Sequence, residues 1–387
     1  MTVYIHSMHR SPPQRRPPVG AAPAGAAKGR GTVWAIEHRF SAHASESFDD
    51  GWGTLEQQAH EEHVPVRTQI IEERVKSILT SNDSPDISFD LSINPYRGCE
   101  HGCVYCFARP THSYLNLSPG LDFETRIIAK VNAAQRLREA LASRAYEPAM
   151  LNLGSATDAY QPVERRLRIT RGVIEVLAEC GHAFSLVTKS AGVERDLDLL
   201  APMAARGLVA VYVSLTTLDP ALARIMEPRA ASPQRRLRTI ATLVQAGVPV
   251  GVSVSPVIPF INEPELEHIL ESAALAGASR AFSVVLRLPW EVNPIFQQWL
   301  DTHFPERAGR VMARIRDMRG GRDYAAKFGT RMVGEGVWAE LLRQRFDKAV
   351  ARLGLDKARV ALDLTQFRKP VTREPNPAQG DLFGRPG

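Results

Sequence analysis

Three of the four cysteines, Cys99, Cys103 and Cys106, fall within eight residues of one another in the run INPYRGCEHGCVYCFARP, residues 93–110. Thiolates are soft ligands suited to zinc or iron–sulfur centres, and a Cys-x3-Cys-x2-Cys spacing gathers three of them on one loop. Gly98 and Gly102 let that loop wrap closely around a bulky ligand. A four-iron cubane has four positions to fill, so three cysteines leave one iron open to something other than protein. The competing reading is a zinc site with His101 or His112 as fourth ligand, in a non-catalytic module that binds nucleic acid. Zinc ribbons use two Cys-x2-Cys pairs, and this chain has no second pair. That favours the cluster and leaves His101 and His112 to hydrogen-bond sulfur or backbone beside it. Cys180, at the end of the helical window GVIEVLAECGH, reads as a buried small hydrophobe.

The elements that must position this loop are legible from Asp86 onward. Six short β-prone runs, DISFDLSI, AMLNLGS, AFSLVT, VAVYVSL, VPVGVSVS and AFSVVLRL, alternate with amphipathic helical windows. In the window from Leu266, apolar residues recur at Leu266, Ile269, Leu270, Ala273 and Ala274, with Pro264 before them and Gly277 after. Alternating strands and helices predict parallel strands, apolar on both faces, in a barrel or a doubly wound sheet. A ligand loop directly after the first strand favours the barrel, whose sites are built on the C-terminal strand ends.

Five segments are expected: a Pro/Gly/Ala-rich basic tail (1–31), a polar extension (32–84) with a short helix over Thr68–Leu79, the α/β body (85–290), a helical region (291–367), and a polar tail (368–387). The basic balance belongs to the first of these. Residues 1–31 hold Arg10, Arg15, Arg16, Lys28 and Arg30 with no acid, and the remaining chain has 43 basic against 42 acidic groups. Net charge therefore does not argue for nucleic acid. With 44% apolar and 23% charged residues the body is globular, and no apolar run approaches the roughly 20 residues needed to span a bilayer. Few cysteines and no apolar leader lead us to expect a cytoplasmic protein.

The cysteine spacing, with Tyr105 directly before the third cysteine, resembles the signature of the radical S-adenosylmethionine (SAM) superfamily. The resemblance extends to the spore photoproduct lyase branch through INPYRGCEHGCVYCFARPTHSY, GSATDAYQPVE, LVTKS, SLTTLD and MEPR, over about residues 87–290. It is similar in particular to members of that branch with no assigned substrate, which share the cysteine block and the later RGGRDY and GEGVWAELLRQRF segments. The resemblance implies a partial (β/α)6 TIM-like barrel with a [4Fe-4S] cluster on the three cysteines and SAM chelated to the open iron. It also implies a one-electron reductant such as flavodoxin or ferredoxin, and reductive cleavage of SAM to a 5′-deoxyadenosyl radical that abstracts hydrogen from substrate.

It assigns residues as well. Tyr105 is expected near the adenine, and Ser155, Thr157 and Asp158, at the end of the second strand, near SAM; the superfamily's Gly-Gly-Glu-like element is absent here. Lys189 would pair with the SAM carboxylate, and Ser214 would bond the ribose or methionine portion, with Ser255 less supported. Glu227 and Arg229 are either ligand contacts or an internal ion pair. EPAMLNLGSATD contains no cysteine where spore photoproduct lyase has its hydrogen-returning one, so that enzyme's own reaction is not implied. Tyr160 is then the candidate relay, with packing as the competing reading.

Two arginine groups could serve a DNA or RNA substrate, for repair or modification: six arginines within 307–322, and Arg165, Arg166, Arg168 and Arg171. The competing readings are a solvated face salt-bridged to the acidic extension, and a peptide or small-molecule substrate. QGDLF, Gln379 to Phe383, resembles the short peptide by which bacterial DNA-maintenance proteins dock on the sliding clamp.

Overall fold

The computed structural model describes residues 30–32, 36, 38–40, 67–356 and 362–370. The clamp-like peptide Gln379 to Phe383 and the acidic cluster of the extension lie outside the described residues. Among these residues the strands are β1 (Gln69–Glu73), β2 (Leu79–Ser81), β3 (Leu91–Ile93), β4 (Tyr96–Arg97), β5 (Arg126–Lys130), β6 (Leu151–Leu153), β7 (Phe184–Thr188), β8 (Val209–Ser214), β9 (Val250–Val257) and β10 (Arg280–Val285).

The six expected strands are all present, as β3 and β6 to β10, and they pair in parallel in the order β3, β6, β7, β8, β9, β10. β2 adds antiparallel to β3, so the sheet ends in two edges and does not close. The fold is thus the α/β partial barrel expected. Helices Ile169–Glu179, Leu197–Ala205, Pro233–Gln245 and Leu266–Leu275 supply the crossovers. Their apolar stripes pack with one face of the sheet, where Ile93, Leu153, Leu186, Val211 and Val252 form a continuous core.

The other face departs from the expectation of strands apolar on both sides. Because side chains alternate along a strand, the register Ser92–Asn152–Ser185 carries polar residues across three neighbours, and Ser214 and Ser253 face the same way. Asn152 Nδ2 donates to Ser185 Oγ at 3.1 Å, satisfying groups that would otherwise be buried alone. This concave face is a polar lumen, suited to a polar ligand.

The helix expected over Thr68–Leu79 is not formed. Instead Ile70 and Ile71 pair in parallel with Ile127 and Ile128 of β5, and β5 also holds β4 antiparallel, making a separate three-stranded sheet. β-branched pairs across a ladder override a local helical pattern. The strands β4 and β5 of this small sheet lie in the crossover between β3 and β6, on either side of the cysteine loop in the chain.

Candidate functional site

The chain leaves β3 through β4 into Gly98, whose φ of 81° is left-handed. A Cβ there would meet the His112 ring and the Phe123 carbonyl at 2.9 Å, so only glycine allows the entry. Cys99 N donates to Phe123 O at 2.9 Å, and Val104 N to Met226 O at 3.1 Å. Cys99 and Cys103 are buried and Cys106 is half-buried. Beneath the loop, the fully buried Arg109 donates from Nε to Cys103 O at 2.9 Å, from Nη1 to Pro119 O and Gly120 O, and from Nη2 to Glu124 at 2.6 Å.

The donor set fits an iron–sulfur cluster. Burial, reinforced by Asp158 and the other two cysteines, pushes the Cys99 thiol well above its ordinary value. Burial also pushes Cys103 up to about 12, although Lys189 pulls the other way. Such thiols become thiolates when a bound cation supplies the compensating charge. A tetrahedral zinc site needs a fourth ligand and a closer convergence of its side chains than a cubane does. Of the two fourth-ligand candidates, His112 donates from Nε2 to Arg126 O at 3.0 Å and His101 Nδ1 lies 3.3 Å from Asp158 Oδ2, while Nδ1 of each ring is buried without a hydrogen-bond partner among the described residues. Cubane ligands sit on separate irons and need no such convergence.

Two carboxylates brace the loop from the barrel side. Asp158, after β6, accepts from Thr188 Oγ1 at 2.8 Å, Lys189 N at 2.7 Å and Tyr160 N at 2.9 Å. Burial works against its charge. The neighbouring His101 ring, with the Lys189 amide and the Thr188 hydroxyl donating, nevertheless holds Asp158 well below the usual carboxylate range. Glu227, after helix Pro220–Met226, accepts from Thr216 Oγ1 at 2.8 Å and from Tyr105 Oη, and pairs with the buried Arg236. Against burial, Arg236 and Lys189 keep it ionised.

Between them stands Lys189, at the end of β7. Its Nζ lies 5.8 Å from the Tyr105 ring centroid and donates no hydrogen bond among the described residues. Burial disfavours the ammonium, but Cys103, Glu227 and Asp158 hold its pKa above the ordinary lysine value. This cation is available to a ligand.

The other expected residues divide. Ser155 accepts from Asn94 Nδ2 at 3.1 Å, and Ser214, buried at the end of β8, offers its carbonyl to Arg236 at 3.1 Å. Thr157 donates to Gly98 O at 2.7 Å, and Ser255 accepts from Ser253 at 3.1 Å. Thr157 therefore fixes the loop rather than presenting its hydroxyl to a ligand. Arg229 pairs with Glu100 at 3.1 Å, the internal ion pair weighed above, though with Glu100 rather than Glu227. Tyr160 is buried in the main core with Oη donating to Asp196 at 2.9 Å, a contact that the packing reading expects. Cys180 is also in that core.

Sequence reading missed Arg109, Glu124, Glu100, Gln161 and Arg236, which hold the loop. Gln161 bridges Glu100 N and Gly98 O at 2.9 and 3.2 Å. Nothing in local pattern marks a charged residue as buried and paired; the sole signal was the position of Arg109 and Glu100 inside the cysteine block.

The arginine window is mostly engaged within the fold. Arg319 is buried and donates to the carbonyls of Leu286, Thr330 and Arg331 at 2.9–3.0 Å. Arg310 lies over Phe260 at 4.0 Å, Arg314 over Trp338 at 4.5 Å, and Arg316 pairs with Asp323 at 2.7 Å. It is therefore not the open phosphate-tracking face considered from spacing. Arg171 is likewise tied to Asp196 and Asp198, whereas Arg165, Arg166 and Arg168 are exposed.

Comparison with known proteins agrees with this geometry. The sequence pattern of the Radical SAM superfamily matches residues 93–273, from the end of β3 through the helix after β9. Uncharacterised proteins of Mycobacterium tuberculosis and Mycobacterium bovis are 38% identical over 271 residues, covering 70% of this chain and 76% of each relative. A protein of Pseudomonas phage M6 named radical SAM Nα-GlyT isomerase is 24% identical over 230 residues, covering 59% of this chain and 46% of that protein. Among solved structures, spore photoproduct lyase complexed with dinucleoside spore photoproduct superposes with a TM-score of 0.52 at 16% identity, over 73% of this chain and 79% of that one. A spore photoproduct lyase variant with bound AdoMet and dinucleoside spore photoproduct gives the same values. With the superfamily pattern spanning the cysteine loop and the strands that brace it, this chain belongs to the radical SAM superfamily.

Proposed function

We propose that Cys99, Cys103 and Cys106 hold a [4Fe-4S] cluster with SAM on its open iron, and that the enzyme abstracts hydrogen from a nucleic-acid substrate. The observation that carries the first part is the buried ammonium of Lys189, 5.8 Å from the centroid of the Tyr105 ring that precedes Cys106 and without a hydrogen-bond partner among the described residues. When bound and reduced, the cluster and SAM supply a 5′-deoxyadenosyl radical. The chain's own residues bind and orient. Lys189 pairs with the SAM carboxylate, and the polar strand ends at Ser155 and Ser214 contact its remaining polar groups. Tyr105, tethered by Glu227, presents its ring beside SAM. Asp158, Glu227 and Arg109 keep the loop in one conformation and exclude water beneath it.

The nucleic-acid reading is supported by two things. The fold matches an enzyme solved with a dinucleoside photoproduct, and Arg165, Arg166 and Arg168 are an exposed basic group. The reading carries with it a flavodoxin- or ferredoxin-type reductant and a cytoplasmic location.

The test is anaerobic iron, sulfide and zinc analysis of reconstituted protein, then a dithionite-reduced incubation with SAM assayed for 5′-deoxyadenosine. We expect about four irons and four sulfides per chain, and 5′-deoxyadenosine that disappears in Cys103→Ala. One zinc, no iron and no cleavage would overturn the reading. Damaged and modified oligonucleotides then test the substrate: deuterium transfer from labelled DNA or RNA into 5′-deoxyadenosine supports it, and transfer only from peptides or small molecules refutes it.

A further inference from the structure

Glu124 is fully buried beneath the cysteine loop, and Arg109 accounts for only part of what it binds. Its Oε2 accepts from Gly31 N at 2.8 Å, its Oε1 from Thr32 Oγ1 at 3.0 Å, and its carbonyl from Arg30 Nη1 at 2.9 Å. Three consecutive residues, more than ninety positions earlier in the chain, thus converge on one carboxylate and its backbone. Arg30 reaches further: its Nη2 donates to Thr68 Oγ1 at 3.1 Å, and Thr68 donates to Glu100 Oε1 at 2.6 Å, on the residue after Cys99.

The contact is close enough to demand glycine on both sides. A Cβ on Gly31 would stand 1.7 Å from Gly102 O, and one on Gly102 would stand 2.7 Å from Glu124 Oε2. Gly31 is therefore pressed against the middle of the Cys99–Cys103 turn, with Arg30 and Thr32 hydrogen-bonded on either side of it. A buried carboxylate with charge-assisted partners on two separate segments locks those segments together.

We propose that Arg30–Thr32 is a positioning strap, which holds the turn between Cys99 and Cys103 through Glu124 and shields that side of the thiols from water and dioxygen. The strap touches no reacting atom. It acts through Glu124, Arg109 and the Gly102 backbone, and without it the turn opens more often. The shielding of a cluster rests on the function proposed above, whereas the clamping of the turn does not.

The experiment therefore measures the thiols first. In cluster-free protein, alkylation of Cys99 and Cys103 by iodoacetamide is followed by peptide mass spectrometry in the wild type, Gly31→Val, Thr32→Val and Thr32→Ser. Gly309→Ala, on an open helix face, is the control. Gly31→Val should raise the alkylation rate by roughly tenfold or more, Thr32→Val by less, and Thr32→Ser should stay near wild type. Cys180, in the main core, should alkylate at an unchanged rate throughout, separating local opening from general loosening. Wild-type rates at Cys99 and Cys103 in Gly31→Val would overturn the strap. If Gly31→Val fails to fold, chains lacking residues 1–29 and 1–32 decide the matter: equal rates refute the proposal, and faster alkylation only in the shorter chain supports it. In reconstituted protein, bleaching of the cluster's visible absorbance in air should accelerate in the same variants. Faster alkylation in variants whose wild-type parent takes up no iron would uphold the strap while refuting the cluster.

Discussion

The cysteine loop and the arginine-rich helix Pro305–Asp317 are two charged neighbourhoods, and the structure uses their charges differently. Around the loop, Arg109, Glu124, Glu227 and Arg236 are buried and paired, leaving Lys189 with no hydrogen-bond partner among the described residues. Along the helix, arginines lie over Phe260 and Trp338 or pair with nearby aspartates, and the adjoining Arg319 staples the end of β10 to the following loop. A cation is evidence for a ligand only when the fold has not already engaged it. By that criterion one buried lysine says more than the arginines of this window.

The contrast can be broken experimentally, and the largest effect is expected at the loop itself. Cys103→Ala should abolish 5′-deoxyadenosine formation and reduce iron content, with the far-ultraviolet circular dichroism unchanged; full turnover would refute the ligand assignment. Arg236→Met strands Glu227 in the interior, and breaking a buried pair costs about 3–5 kcal/mol, lowering Tm by roughly 5 °C. Thermal unfolding of the apoprotein measures this, and a shift under about 2 °C would show that the pair is not the brace described.

Lys189→Met separates binding from stability. It should weaken SAM binding by roughly 10–100-fold in calorimetric titration of the loaded protein while lowering Tm less than Arg236→Met does, since Glu227 loses a neighbouring charge but keeps its Arg236 partner. Unchanged affinity would remove Lys189 from the site. Tyr160→Phe sharpens the packing reading: it should cost about 1 kcal/mol from the lost Asp196 hydrogen bond and leave turnover with substrate intact, whereas a relay would lose it. The smallest stability effect belongs to Arg165, Arg166 and Arg168 changed together to Gln. Stability should stay within about 0.5 kcal/mol, while the salt dependence of oligonucleotide binding should flatten by about two to three in log–log slope. An unchanged slope would place nucleic acid elsewhere.

Much of this architecture was written locally. The six parallel strands, the helices between them and the cysteine loop after the first strand all follow from patterns a few residues wide, because apolar periodicity, glycine positions and ligand spacing are local properties. The cysteine block was legible for the same reason. Right-handed crossovers serve a barrel and a doubly wound sheet alike, so the order of strands was not a local property, and the helix expected at Thr68–Leu79 failed because its pairing partner, β5, lies more than fifty residues away.

What the amino-acid sequence determined by itself, then, was the fold class, the ligand loop and the residue types at the strand ends. Only the tertiary structure decided which charges are engaged. Thr157, Arg229 and Tyr160 have the right chemistry for a site, yet Gly98, Glu100 and Asp196 claim them, and Glu124 gathers Arg109 from the loop with Arg30, Gly31 and Thr32 from far upstream. A buried ion pair has no sequence periodicity. Its partners are fixed by which segments the fold brings within about 3 Å, where desolvation makes each unpaired group costly.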